Sequence, residues 1–433
     1  MTSAPGLFWL PMRRYLQFLT IVLMGLAVAG CRQKQPNEAI TLITDPGAKA
    51  FAVTERLVRE FEAQTGQRVR VINSPADATD RLSQYLQYLG GKSPDIDVYE
   101  IDVVWPASLQ NHLVDLRPAV TTETQAFLPQ LIANDTVGSR LVALPYYLDL
   151  PLLYYRQDLL RKHGFKKPPR TWDELTTTAA VIQDAERNQG DGELWGYVWQ
   201  GRAYEGLTCN ALEWQVSDGG GQIVGEDGAV EVDSPGAVGA MERAAGWVGT
   251  ISPPGVTMYA EEEARQLFQT GHCVFMRNWP YAFSLVNGAE SPVAGKVSTA
   301  PLPAGSSGRT ASTLGGGQLA VSKYSKHREG AIALVKFLTS ARAQKLQALE
   351  SSRLPTRTAL YGDPEIGAAF PFMAAMRESL DSAVARPSNA TGIDYNEVST
   401  YYFQHVHQVL TKEKSAAESM RSLQDLLQKV LAK

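Results

Sequence analysis

The sequence predicts an α/β protein that contains a parallel sheet and folds as two domains or lobes. Strand and helix signals alternate through the first part of the chain after an apolar N-terminal segment, a pattern typical of parallel strands joined by helices. The ~400 residues beyond that segment are too many for one hydrophobic core. No period of roughly 20 to 50 residues repeats, which excludes solenoids and propellers.

An export signal is predicted at the N-terminus. Two arginines precede an apolar run over 15–28, and small residues then lead to Cys31. The run is shorter than the ~20 residues that a membrane-spanning helix needs, and its flanks are those of a signal peptide. We therefore expect residues 1–30 to be a lipoprotein signal peptide, Cys31 to carry the lipid, and residues 31–41 to be the lipidated end and a linker. An uncleaved N-terminal anchor is the alternative. Two acyl chains on Cys31 would hold the protein on a membrane.

The first predicted sheet arises from a strand–helix–strand–helix–strand series. Apolar residues of its first helix fall on one face, and glycines end both helices. The strands cover 39–44, 69–71 and 97–103, and the helices cover 48–64 and 76–89. Ligands bind beyond the carboxyl ends of parallel strands, so Asp102, at the end of the third strand, is a candidate binding residue.

Two more helices have clear start signals. Thr171 and Glu174 have the spacing of a capping box, which opens a helix that extends to about residue 188. Ser415 with Glu418 gives a similar start for the last helix. The apolar stripe of this last helix predicts packing against the core.

Composition narrows the partners and cofactors. The net charge is −4 and the basic residues are scattered, so no nucleic-acid partner is expected. Cys209 and Cys273 either form one disulfide or remain two buried thiols. His405 and His407 are two positions apart in a helical segment, which directs them to different faces and disfavours a metal pair. We expect neither a metal nor a cofactor.

Catalytic motifs are scarce. The sequence has no HExxH or GxSxG motif, no GxGxxG motif that opens a helix, and no P-loop lysine after the glycines at 315–317. We expect no enzyme, but a secreted glycoside hydrolase remains an alternative because it needs only two carboxylates that flank a bond. The candidate carboxylates are Asp95, Asp97, Glu100, Asp102, Asp149, Glu205 and Glu213. The first two could also bind calcium, although a solvated cluster is favoured because the EF-hand pattern is absent.

Aromatic side chains lie near turns and beside charged residues. A sugar presents flat C–H faces and a rim of hydroxyl groups, so a sugar site combines aromatic rings with charged hydrogen-bonding groups. The candidate rings are Trp105, Trp195, Trp199, Trp214, Trp279, Tyr146, Tyr147, Tyr154 and Tyr155. Most of them are expected in the core, with a minority at a ligand.

A set of stretches, collinear over nearly all of the chain after Cys31, carries a resemblance to one family. The stretches are 91–98, 102–105, 143–149, 153–160, 167–175, 195–201, 204–207, 251–254, 277–282, 300–303 and 313–316. Together they resemble the extracellular solute-binding proteins (family 1) of sugar ABC transporters, and most closely the trehalose/maltose-binding proteins. The ordered set carries the resemblance, since no short motif is decisive alone.

The resemblance implies an α/β, two-lobe periplasmic-binding-protein fold of type II, maltose-binding-protein-like, with a hinge between the lobes. One lobe would combine 42–146 with 301–352, and the other 147–300 with 353–433. A sugar would bind in the cleft, the lobes would close over it, and ABC transporter permease subunits would receive it. The implied protein is a monomer in the periplasm or on the extracytoplasmic face of the cell membrane. A sugar-sensing receptor module shares the fold and remains an alternative.

The resemblance also implies particular sugar-binding residues. Asp102 and Asp149 match aspartates that bind hydroxyl groups, and Trp279 matches a ring that stacks on the sugar. Arg81 matches an arginine that reaches the ligand from a helix, and Tyr147 matches a tyrosine of the cleft.

Three further positions complete this set. Arg386 matches an arginine from the second lobe, and Gly316 matches a backbone contact. Gly317 departs from the disaccharide-binding pattern, which has Trp there, and residues 47–50 lack a carboxylate that the pattern has. Because a ring and an acceptor are missing, we expect a smaller or differently shaped α-glucoside rather than maltose or trehalose. Such α-glucosides include sucrose and a glucosylglycerol-type compatible solute.

Overall fold

The structure is a computed structural model that describes residues 1–2, 39–120, 122–370, 380 and 382–432. Residues 3–30 of the predicted signal peptide and Cys31 lie outside the described residues. From Ile40 onward the chain forms one compact unit. Among the described helices, none combines the length and the apolar character needed to cross a bilayer.

The described strands form two main sheets and two short pairs. Their bounds are β1 (Ile40–Thr44), β2 (Val69–Asn73), β3 (Val98–Asp102), β4 (Thr136–Val137), β5 (Arg140–Leu141), β6 (Leu144–Asp149), β7 (Leu152–Arg156), β8 (Trp195–Val198), β9 (Cys273–Asn278), β10 (Val297–Ala300), β11 (Ser312–Thr313), β12 (Gly315–Val321) and β13 (Ala383–Val384). In the short pairs, β4 pairs with β5 antiparallel and β11 pairs with β13 parallel.

Helices connect and cover these sheets. Their bounds are α1 (Ala48–Thr65), α2 (Ala78–Gly90), α3 (Pro106–Leu109), α4 (Pro129–Asn134), α5 (Gln157–Lys162), α6 (Trp172–Asn188), α7 (Glu205–Ser217), α8 (Pro235–Trp247), α9 (Glu261–Gln269), α10 (Ala282–Val286), α11 (Arg328–Leu338), α12 (Ala341–Ser351), α13 (Pro364–Ala369), α14 (Ser388–Thr391), α15 (Tyr395–Leu410) and α16 (Ala416–Leu431). Short 3-10 helices cover Gln110–His112, Arg117–Ala119, Glu123–Ala126, Pro254–Met258, Thr358–Gly362 and Gly392–Asp394.

The first sheet has the strand order β2-β1-β3-β12-β6. Because β1 pairs in parallel with β2 and β3, α1 and α2 are crossover helices, and the predicted strand–helix series is confirmed. β12 runs antiparallel between β3 and β6. Side chains alternate between the faces, so Leu42 packs under α1 with Leu57 while Ile43 packs under α2 with Leu89. Apolar residues therefore cover both faces of this sheet.

The second sheet has the order β10-β7-β9-β8, with β7 antiparallel to its neighbours and β8 parallel to β9. Thr171 caps α6 as predicted, accepting the Glu174 N–H at 3.1 Å, but the Glu174 carboxylate reaches the N–H of Arg170. The stripe of α16 is buried at Leu423 and Leu427, so its predicted packing role is confirmed.

Two lobes result because the chain passes from one sheet to the other. β6 belongs to the first sheet and β7, which starts three residues later, belongs to the second. The chain returns between β10 and β12, and the lobes are called first and second after their sheets. Cys209 and Cys273, both in the core of the second lobe, are free thiols whose pKa is raised by burial.

Candidate functional site

A cleft with a volume of about 740 Å³ lies at the carboxyl ends of β1 and β3. The first lobe contributes the loop after β1, the start of α2, the ends of β3 and β6, and the start of β12. The second lobe contributes the segment before α7, the start of α9 and the turn after β9. All the sequence-predicted binding residues line it: Arg81, Asp102, Tyr147, Asp149, Trp279, Gly316, Gly317 and Arg386.

Asp102 and Arg386 form an ion pair across the cleft. The Asp102 Oδ1 atom accepts from Arg386 Nη2 at 2.9 Å and from the N–H of Val104 at 3.2 Å. Arg386 Nη1 donates to Glu205 at 2.6 Å, and Glu205 also accepts from Ser399 at 2.7 Å. Arg386 therefore connects the end of β3 in the first lobe with the start of α7 in the second.

Arg81 projects from α2 and binds a carboxylate that sequence reasoning missed. Its Nη1 atom lies 3.2 Å from Asp45, which follows β1. Burial would raise the pKa of Asp45, but Arg81 and Arg353 outweigh burial and hold that pKa below its ordinary value. Asp45 thus supplies a charged carboxylate to the cleft. It lies just before residues 47–50, the segment in which the disaccharide-binding pattern has a carboxylate and this sequence does not.

Tyr147 takes the space beside Gly317. A Cβ atom at residue 317 would lie 2.3 Å from the Tyr147 ring, so glycine is required for this approach. The tyrosine is fixed by its hydroxyl, which donates to Glu100 at 3.0 Å, and by the Arg353 guanidinium, 3.9 Å from the ring centre. The Tyr147 ring therefore borders the cleft beside residue 317, where the disaccharide-binding pattern has a tryptophan and this sequence has glycine.

Gly316 has a backbone role inside the sheet. Its φ of +132° is a conformation that other residues rarely adopt, and a Cβ there would approach the Tyr147 carbonyl oxygen to 2.4 Å. The Gly316 carbonyl accepts the N–H of Val103 at 3.1 Å. This carbonyl is therefore already hydrogen-bonded within the protein.

Asp149 is a carboxylate with a buried oxygen, Oδ1, that has no hydrogen-bond partner. Burial raises the pKa of Asp149 to about 8, and the neighbouring Asp45, Asp102 and Glu100 carboxylates act in the same direction against Arg353. Since an unpartnered buried polar atom costs about 1–3 kcal/mol, this oxygen marks a place for a hydrogen-bond donor.

Trp279 borders the cleft from the second lobe. Its indole Nε1 atom donates to Glu261 at 3.3 Å, and the guanidinium of Arg277 lies 4.1 Å from the ring centre. The hydroxyl of Tyr154 donates to the Trp279 carbonyl at 2.7 Å. The ring is thus held from several sides next to the charged groups of the cleft.

Sequence rules find some of these residues and miss others. Asp45 follows a parallel strand, and the strand-end rule that selected Asp102 would have selected it too. Arg353 has no such local signal, because it reaches the cleft from just beyond α12. Across the described residues no group of three or more His, Cys, Asp or Glu side chains is arranged to hold a metal ion.

Comparison with known proteins gives the class of this protein. Residues 44–345 match the family described as bacterial extracellular solute-binding protein. The chain is 42% identical over 409 residues to a probable ABC transporter-binding protein of Deinococcus radiodurans, which covers 94% of this chain and 97% of that protein. It therefore belongs to the bacterial extracellular solute-binding protein family.

Solved structures of other solute-binding proteins have the same fold. The fold matches the maltose-bound MalE3 of T. maritima with a TM-score of 0.86 and 40% identity, over 90% of this chain and 99% of that one. It matches the GacH receptor of Streptomyces glaucescens, solved with acarbose, with a TM-score of 0.80 and 27% identity, over 91% and 98%. The protein is the solute-binding component of an ABC transporter and works outside the cytoplasm. It is a binding protein and not an enzyme, so the glycoside hydrolase alternative is wrong.

Proposed function

We propose that this protein captures an α-glucoside of about disaccharide size by closing its two lobes, and delivers it to the permease of an ABC transporter. The observation that carries the proposal is a set of buried polar atoms without partners on cleft-lining side chains. These atoms are Arg81 Nε, Asp149 Oδ1, Arg353 Nη1 and Arg386 Nε. Three are donors and one is a carboxylate oxygen, and a sugar hydroxyl both accepts and donates.

The aromatic residues support a ring-shaped ligand. Trp279 offers a flat apolar surface close to Asp149, since both lie within 3.4 Å of a Cβ placed at Gly315. A pyranose can stack its C–H face on the indole while its hydroxyl rim meets the carboxylate. This combination favours a glucoside over an acyclic polyol, which has no ring face to stack.

The ligand is proposed to be about the size of a disaccharide. Asp45 and Tyr147 supply a carboxylate and a ring close to the two positions where the sequence departs from the disaccharide pattern. Maltose and trehalose therefore stand beside sucrose and a glucosylglycerol-type compatible solute as candidates. Maltose is the sugar bound by the T. maritima protein, which shares 40% identity with this chain.

Closure is the proposed mechanism of capture. A ligand shifts the open–closed equilibrium only through its higher affinity for one state, so it must contact both lobes when they are closed. Asp102 and Asp149 would bind it from the first lobe, and Trp279 and Arg386 from the second. The permease would then recognise the closed form.

A thermal-shift screen tests the ligand. The chain beginning at Arg32 is heated with maltose, trehalose, sucrose, glucosylglycerol, glucose or mannitol. A ligand that binds only the native state raises the melting temperature according to its concentration relative to Kd. We expect a shift with at least one of the four glucosides that exceeds the shift with mannitol. A shift with mannitol alone would contradict the α-glucoside proposal.

Attachment to the membrane is proposed through Cys31. The protein would be cleaved before Cys31 and tethered by its acyl chains, with the segment up to residue 41 as a leash. In cells fed radiolabelled palmitate, the native protein should incorporate label and sediment with membranes, whereas Cys31→Ser should do neither. Label in the variant would refute Cys31 as the lipidated residue.

A further inference from the structure

An ion pair beneath Trp279 is closed off from solvent. The side chains of Arg277 on β9 and Glu213 on α7 are 1% and 0% exposed. Arg277 Nε donates to Glu213 at 3.1 Å and Arg277 Nη2 donates to it at 2.5 Å. This bidentate geometry aligns the guanidinium plane with the carboxylate plane. Neither residue was among the predicted binding residues.

A third polar side chain fixes the remaining end of the guanidinium. Gln200 accepts from Arg277 Nη1 at 3.1 Å and returns a hydrogen bond to the Arg277 carbonyl at 3.0 Å. Asn210 donates to the same Gln200 oxygen at 3.1 Å. The guanidinium plane is therefore set by groups on α7 and after β8 before any ligand enters.

The held guanidinium lies against Trp279. Its Cζ atom is 4.1 Å from the indole ring centre, a distance at which an arginine attracts an aromatic face. A buried ion pair rarely adds net stability compared with apolar residues of similar size, so stability does not account for its presence under a cleft residue. We propose that Arg277 is a positioning residue, which Glu213 and Gln200 hold so that the Trp279 ring is ordered before the sugar binds. The functional part of this inference rests on the α-glucoside proposal above.

The test removes the pair without leaving a buried charge. Arg277→Met/Glu213→Gln is compared with Arg243→Met/Asp218→Asn, which removes another largely buried pair whose arginine also lies near tryptophan rings but outside the cleft. Both proteins are labelled with 5-fluorotryptophan, and the ¹⁹F resonance of Trp279 is assigned by its loss in Trp279→Phe. The ¹⁹F spectrum reports the position of the Trp279 ring in the sugar-free protein.

We expect the Trp279 resonance to shift or broaden in the first variant and to stay unchanged in the second. Affinity for the best glucoside of the screen should fall about three- to tenfold, the loss expected when binding must immobilise one more side chain. In a Trp279→Ala background the double substitution should cost no further affinity, because Arg277 then has no ring to position.

Each result decides between the two proposals. An unmoved Trp279 resonance overturns the positioning role whatever the protein binds. A moved resonance in a protein that binds no glucoside supports ring positioning and refutes the function proposed for the cleft. If the Trp279 resonance moves but glucoside affinity is unchanged, Arg277 has no role in sugar binding. The same conclusion follows if the double substitution lowers affinity as much in the Trp279→Ala background as in the native protein.

Discussion

Asp149 combines its proposed binding role with a cost to stability. Burial, assisted by neighbouring carboxylates, raises the pKa of Asp149 to about 8 from its ordinary value of 3.8. Between these values the native state keeps a proton that the unfolded chain releases, so this group makes the free energy of unfolding fall as the pH rises from about 4 to about 8. Above that range its contribution is level.

Asp149→Asn should remove this pH dependence. In urea titrations of the sugar-free protein, we expect the variant to be more stable than the native protein by about 1–3 kcal/mol at pH 9 and by less at pH 5. The same variant should bind sugar more weakly, because one carboxyl oxygen, which can accept a hydrogen bond from a sugar hydroxyl, is replaced by an amide nitrogen that can only donate. Equal differences in unfolding free energy at both pH values would contradict the assigned cause.

Single residues differ in how far the sequence predicts them. Asp102 follows from a local rule, since the end of a parallel strand faces the cleft. Its bond to Arg386 does not, because 284 residues separate the two and no local pattern encodes that pairing. Charged partners of this kind depend on which lobe surfaces meet, which is a property of the folded chain.

On the scale of one strand, β12 shows how backbone geometry sets the cleft wall. Gly317 lets Tyr147 lie against the strand, where its hydroxyl reaches Glu100. Gly317→Ala should displace the ring and destabilise the protein by about 1–3 kcal/mol, because the ring is also packed on Arg353. It should weaken sugar binding as well.

Gly192→Ala is the matched control, since a Cβ there has nothing within 4 Å. Its unfolding free energy, measured by urea titration, should stay within about 0.5 kcal/mol of the native value. Equal stability losses in the two alanine variants would argue against a specific contact at Tyr147.

The helices and strands are predictable from the sequence where the spacing of apolar residues and the helix-capping residues indicate the same element. The first three strands and two helices lie within two residues of their predicted ends. α2 begins at Ala78 rather than at residue 76, because Asp77 is its cap and accepts the N–H groups of Thr79 and Asp80. The antiparallel return of β12 between β3 and β6 has no local signal, since glycine-rich sequence says little about strand pairing.

For the whole molecule, contacts at the cleft mouth join the two lobes without a ligand. Arg202 pairs with Asp77 over a separation of 125 residues, and Lys49 donates to the Ser284 carbonyl at 2.6 Å. Such partly exposed contacts are worth about 0–1 kcal/mol each, so they adjust the open–closed equilibrium rather than fix it. Chain length and the family resemblance predict the two lobes, but not these pairings between distant segments.

Arg202→Ala should therefore weaken sugar affinity about two- to fivefold by disfavouring the closed state. Arg56→Ala is the control, because Arg56 is about as exposed as Arg202 and pairs with Glu350 within the first lobe. Small-angle scattering at subsaturating sugar should show a larger radius of gyration for Arg202→Ala than for Arg56→Ala. Identical affinities and radii in the two variants would exclude a closing role for the Arg202 contact.

Calorimetric titration of Trp279→Ala and Trp195→Ala with the best glucoside tests the central claim most directly. Both indoles are partly buried and stacked on an arginine, at 4.1 Å and 4.3 Å, but only Trp279 lines the cleft. We expect Trp279→Ala to lose at least about thirtyfold in affinity with its fold intact, as for loss of a central aromatic contact of about 2 kcal/mol or more. Trp195→Ala should bind normally. Native affinity in Trp279→Ala would contradict a sugar site in this cleft.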